Sequence, residues 1–233
     1  MLGDPLGALR SFSVTIGLHL NETVLDVLEP GASHPVARLR KQAPIRALVA
    51  YQLLVGPALA DVAALVTPYG AQAPDGAVLG IVNCSGGRTP DADFHPMRRA
   101  RHTRYDDNPA RWRIVQPGLP PLAGQPVGPR GPRSVRRFID AIEWIGVDLP
   151  PTGALVRLAL RFSAVGSAGF TVRLPARSAR FEVAVDDPRI DRRLVLACVA
   201  ALAPFAWTPR GELVGSASDL RAGVRVLRRR LPR

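Results

Sequence analysis

The chain reads as a mainly β protein of the α+β class, in which short antiparallel strands wrap one wholly apolar helix. Three observations predict this. Residues 156–185 alternate apolar and polar side chains through three successive runs, the period of half-buried strands. Residues 194–203 are apolar on every side. The 23 prolines and 21 glycines are spread along all 233 residues, which favours many short elements joined by turns over a few long helices. With 47% apolar residues the chain can bury a substantial core, and a β-barrel commonly reaches this length as one domain.

Residues 1–10 read as an N-terminal extension. They lack the basic start and apolar centre of a secretion signal, so a cytoplasmic protein is expected. Phe12, Val14, Ile16 and Leu18 alternate with Ser13, Thr15 and Gly17 as a first strand. Residues 23–28, the turn Glu29-Pro30-Gly31 and residues 36–40 make a hairpin. Residues 47–66 approach the roughly 20 apolar residues that a membrane-spanning helix needs. Gly56-Pro57 breaks that run and Asp61 would lie at depth, so two short buried elements around a turn are expected, and no transmembrane segment.

Pro74-Asp75-Gly76 leads into another strand at 77–82, and Trp112, Ile114 and Val115 precede a turn at Pro117-Gly118. The spacing of these units is too irregular for a solenoid or propeller. Residues 85–108 are polar and read as a surface connector. Residues 124–133, with Pro126, Pro129 and Pro132 three apart, read as a stiff linker. Ser134 can cap a helix whose apolar face is Val135, Phe138, Ile139 and Ile142, ended by Gly146.

Strands follow at 156–163, at 170–174 after the turn 166–169, and at 180–185, with apolar residues facing inward and arginines outward. Asp191 is a sound N-cap for the apolar helix, and Pro204 is expected to stop it. A helix without a polar stripe has to be surrounded by protein, and a closed ring of strands is the simplest enclosure.

Strands that end in an acidic turn and a terminal apolar helix resemble the tubby C-terminal-like superfamily, which includes the LURP-one-related proteins and the phospholipid scramblases. The residues that carry the resemblance are Arg180 to Val185, then Asp187-Pro188-Arg189-Ile190-Asp191 and the run to Ala197. The units around 24–39 and 77–82 look like the hairpins of the LURP-one branch. The resemblance implies a barrel of about twelve antiparallel strands around a hydrophobic helix at about 191–203, within one domain over 11–207, followed by a basic tail at 208–233. The helix at 134–145 and that tail depart from the family pattern. The resemblance also brings Asp186, Asp187 and Asp191 close to a place linked to calcium in scramblases. Pro188 and the arginines at 189, 192 and 193 make a poor hard-cation site, and capping with Arg–Asp pairing accounts for these aspartates better.

The net charge is +12, enough to attract anionic lipid, nucleic acid or acidic proteins. Lys41 is the lone lysine among 31 basic residues, and with the abundant Ala, Gly and Pro this also fits a GC-rich coding bias. Two clusters are candidates for anion binding: Arg98, Arg99, Arg101 and Arg104 in the polar connector, and Arg221, Arg225, Arg228 and Arg229 in the tail. In the tail Leu220, Val224, Leu227 and Leu231 can line the opposite helical face. A peripheral association with an anionic membrane is the expected function. The alternative is a nucleic-acid or protein-interaction module, disfavoured for nucleic acid by the few aromatics.

Catalytic constellations are missing. His19, His34, His95 and His102 lack metal-ligand spacing, and His95 and His102 with Asp91, Asp93, Asp106 and Asp107 read as a solvated loop. Cys84 sits in a Gly/Ser-rich turn and Cys198 in the apolar run, where it reads as a buried hydrophobe. No phosphate-binding glycine pattern occurs. A non-enzyme without metal or cofactor is expected.

Overall fold

In a computed structural model, residues 6–19, 21–45, 47, 49–83, 112–127, 158–175 and 178–206 are described. Twelve antiparallel strands form a closed barrel. They are β1 (Ser11–His19), β2 (Glu22–Leu28), β3 (Ala37–Lys41), β4 (Tyr51–Val55), β5 (Asp61–Thr67), β6 (Gly70–Gln72), β7 (Val78–Asn83), β8 (Arg113–Val115), β9 (Leu122–Pro126), β10 (Leu158–Ala164), β11 (Ser167–Leu174) and β12 (Arg180–Val185). Each strand pairs with its neighbours in the chain, and β1 closes the ring against β12, with Val14 opposite Phe181. Closure leaves no edge strand with unpaired backbone groups.

Alternation decides which side chains fill the barrel. Leu25 and Val27 of β2, Leu39 of β3, Leu53 of β4, Val66 of β5 and Val82 of β7 are all completely buried, while Arg38 and Arg40 face outward between them. On β10 and β11 the rings of Phe162 and Phe170 stack with centroids 4.9 Å apart.

Helix α1 (Arg192–Ala206) lies in the barrel and packs against β5, β6, β7 and β11. Every residue from Leu194 to Ala200 is at most 1% exposed. Each fully buried Leu or Val contributes about 1.5–3 kcal/mol relative to an exposed one. Cys198 is among them, as a free, completely buried thiol. The enclosed helix and the closed antiparallel wall agree with the sequence reading, as do the hairpin β2–β3 and the pair of strands at 47–66.

Three local expectations need correction. Residues 124–133 do not begin as a linker, because Leu122–Pro126 is β9 and pairs with both β8 and β10. Gly124 belongs there because a Cβ would come within 2.9 Å of the Phe162 ring. The turn before β11 is narrower than 166–169, since Ser167, Ala168 and Gly169 belong to the strand. Pro204 does not stop α1, which runs to Ala206, because the fixed φ of proline is itself helical and only one N–H is lost. Within residues 1–10, Leu6 is 1% and Leu9 4% exposed, and both belong to the core. The expected helix at 134–145 and the connector at 85–108 lie outside the described residues.

Gly80 of β7 is where the wall and helix meet most closely. A Cβ there would sit 2.6 Å from Leu194 Cδ1 and 2.4 Å from the Val115 carbonyl oxygen. Gly80→Val should therefore cost about 2–4 kcal/mol in urea denaturation. At Gly76, with φ +89° and no atom within 4 Å, alanine meets only backbone strain and should cost about 1 kcal/mol. Equal losses at the two glycines would contradict this packing.

Candidate functional site

The barrel has two rims of different chemistry. The chain leaves β12, turns, and enters the barrel as α1, and this entry rim is held by a polar clasp. Asp187, only 4% exposed, accepts a hydrogen bond from Ser167 Oγ at 2.6 Å and from Arg189 Nη2 at 2.7 Å. It also accepts from Arg189 Nε and from the Arg189 backbone N–H, both at 3.0 Å. These partners, Arg189 foremost, hold the Asp187 carboxyl well below the usual carboxylate range. Arg189 further donates to the Gly166 carbonyl, and Gln116 bridges the Arg189 carbonyl and the Asp191 N–H.

Asp191 caps α1 by accepting from Arg193 N–H at 2.9 Å, and it pairs with the Arg193 guanidinium at 2.6 Å. Arg192, 2% exposed, donates to the carbonyls of Leu9, Pro188 and Ile190. Arginine donors therefore occupy both Asp187 and Asp191. No group of three or more metal-ligating side chains occurs among the described residues. This turn joins three loops to the helix start, and it has the pairing and capping that the sequence suggested.

The opposite rim differs. On adjacent strands Thr23, Lys41 and Tyr51 all point inward and are 0%, 3% and 0% exposed. Lys41 Nζ donates to the Ile45 carbonyl at 2.9 Å and the Ala47 carbonyl at 2.7 Å, and lies 4.5 Å from the Tyr51 ring centroid. Thr23 Oγ1 donates to the Ala43 carbonyl at 2.8 Å. These three bonds tuck the β3–β4 connection over the barrel end. Burial lowers the Lys41 ammonium to about 8 and raises the Tyr51 phenol above its usual range. Among the described residues the Tyr51 hydroxyl and the Trp112 indole N–H are buried without a hydrogen-bond partner.

All eight arginines proposed for anion binding, Arg98, Arg99, Arg101, Arg104, Arg221, Arg225, Arg228 and Arg229, lie outside the described residues. So do Cys84, His95, His102 and the acidic residues around them. What the structure adds is the distribution of charge. The described residues hold 11 basic and 9 acidic side chains, a net +2 out of +12. Much of that charge is paired on the wall: Arg38 with Asp26 at 2.6 Å, Arg40 with Glu22, and Arg161 with Asp186 at 3.4 Å.

The remaining +10 lies elsewhere. Residue 46, residues 84–111, residues 128–157 and residue 177 carry +6, residues 207–233 carry +5, and residues 1–5 carry −1. The strand ends bordering the first four stretches, those of β3–β4, β7–β8, β9–β10 and β11–β12, all belong to the rim opposite the helix entry. At that rim Arg113, Arg173 and Arg180 are exposed and make no ion pair among the described residues, although Glu182 faces Arg173 across the strand pair. Exposed acids gather at the entry rim instead, as Glu29, Asp61, Asp75 and Asp186. Sequence reading missed this polarity because it depends on strand parity, which becomes visible only once all twelve strands are counted.

Comparison of the chain with protein-family models, with curated proteins and with solved structures gave no match.

Two pH dependences follow. Asp187 ionises in the folded state below its ordinary range near 3.8, so its contribution is full above that value and is lost as pH falls through the acid range. The thermal midpoint should drop on acidification in the parent chain and drop less in Asp187→Asn. At alkaline pH Lys41 gives a slope of the same sign. Lys41 sheds its proton near 8 when folded and near 10.5 when unfolded, so stability should rise across that interval. Above about 10 the buried Tyr51 phenol opposes ionisation and stability should fall again. Lys41→Met should abolish the rise.

Proposed function

We propose that the chain is a non-enzymatic, tubby-like barrel that associates peripherally with anionic membrane surfaces through the rim opposite the helix entry. The observation that carries this reading is the polarity of charge along the barrel. A nearly neutral wall of +2 is bordered at one rim by stretches carrying +6, and the tail adds +5. A coding bias toward arginine acts on every codon alike, so it does not account for an excess that falls on the stretches between the strands and on the tail while the wall stays near neutral.

Near an anionic leaflet each basic residue adds roughly 1 kcal/mol of attraction, screened within a Debye length. A rim on which many such residues converge gains more than the same residues scattered over the barrel. The tail supports the reading independently, because Leu220, Val224, Leu227 and Leu231 can share one helical face with arginines on the other. The twelve-stranded barrel with its enclosed helix is the architecture that the tubby resemblance implies. No helix among the described residues is long and apolar enough to cross a membrane.

Flotation with vesicles tests this. At low salt the protein should float with phosphatidylserine-containing vesicles and stay down with neutral phosphatidylcholine vesicles, and added salt should release it. Replacing Arg221, Arg225, Arg228 and Arg229 by Gln should weaken partitioning on the order of a hundredfold or more. Substituting Arg113, Arg173 and Arg180 together should weaken it further, whereas Arg38→Gln, on the paired wall, should leave it unchanged. Equal flotation with neutral and anionic vesicles would remove the proposal.

A further inference from the structure

Lys41 is the single lysine of the chain, and it points into the barrel where an arginine or a salt bridge would be expected. A buried ammonium is ordinarily paired with a carboxylate. Here two backbone carbonyls take two of its three N–H donors, and among the described residues no carboxylate approaches it within 4.0 Å. Its charged neighbours do not compensate it either. Glu22 of β2 and Arg40 of β3 stand next to it in sequence or register but face outward and pair with each other. The groups that share the interior with it are Thr23 from β2, whose hydroxyl is already committed to the Ala43 carbonyl, and Tyr51 from β4.

Tyr51 supplies the second, independent observation. Its hydroxyl is completely buried, points inward on the neighbouring strand, and has no hydrogen-bond partner among the described residues. An orphaned buried hydroxyl costs about 1–3 kcal/mol of desolvation, so phenylalanine would serve packing better. A cation without a carboxylate thus lies over the ring of a tyrosine whose O–H donor is unused, at one barrel mouth, under a short connection whose carbonyls are the ammonium's oxygen partners among the described residues.

We propose that Lys41 and Tyr51 form an internal binding site for one anionic oxygen group, a carboxylate or a phosphate. The anion accepts from the Lys41 ammonium and from the Tyr51 hydroxyl. To reach them it displaces or joins the carbonyls of Ile45 and Ala47, so the β3–β4 connection is the entrance. Binding neutralises the buried charge and therefore stabilises the protonated amine. This site lies inside the wall and does not depend on the membrane reading.

The single lysine makes the test direct. Protein labelled with 13C at the lysine side chain gives one Lys41 signal, which is titrated with pH in chloride, in sodium acetate and in inorganic phosphate at equal ionic strength. At least one of the two oxyanions should shift the signal and move its titration midpoint upward from about 8 by about one pH unit. The active anion identifies the source as carboxylate or phosphate. Tyr51→Phe, which keeps the ring, should fold with unchanged or higher stability in chloride and bind that anion at least several-fold more weakly. Lys41→Met should lose the anion-dependent rise in thermal midpoint altogether. The proposal is overturned if neither anion moves the Lys41 signal beyond chloride, or if Tyr51→Phe binds as tightly as the parent.

Discussion

Residues 194–203 present no polar side chain in any direction, so water has to be excluded from all around the helix that they form. A single sheet face covers only one flank of such a helix. A wall that closes on itself covers every flank and leaves no free sheet edge. The pairing of β1 with β12 is therefore the contact on which the architecture depends, because it brings residues more than 160 positions apart into register and completes the ring. The entry clasp has the same logic. Asp187, Asp191, Arg189 and Arg192 fix the place where the chain passes from wall to interior, and they satisfy the polar groups that this passage buries.

Much of this was legible in the residues. Period-two alternation marked the strands between 156 and 185, and the β2–β3 hairpin announced itself through Glu29-Pro30-Gly31. The apolar helix was legible because an all-apolar decapeptide behind an aspartate cap has few other uses. The failures have physical causes. β9 was hidden because Gly124 and Pro126 look like linker residues, and the reason for glycine is the Phe162 ring on a strand more than thirty residues away. The extent of α1 was misjudged because Pro204 was read as a stop, whereas the fixed φ of proline is helical and the helix continues through it to Ala206.

The sites were less legible than the fold. Lys41 could be noticed as the lone lysine, but its inward direction depends on the register of β3 against β2, and its pairing with Tyr51 on a strand ten residues later. The basic residues were seen as clusters along the chain. Which strand ends border those stretches is a property of topology: in an up-and-down barrel every second connection leaves from the same rim. The wall meanwhile pairs Arg38 and Arg40 with carboxylates on the neighbouring strand, so little of the net charge resides in the described barrel.

The burial of Lys41 has a practical side. With one lysine in the chain and that one locked inside, the native protein offers an amine-directed reagent no accessible side chain. Acylating agents, lysine-directed proteases and enzymes that attach degradation tags to lysine all need the amine in solvent, and the barrel delivers it only on opening. Labelling at Lys41 is thus an intrinsic clock for the breathing of one rim. A chain built almost wholly on arginine has, in effect, made its modification by lysine chemistry conditional on the opening of that rim.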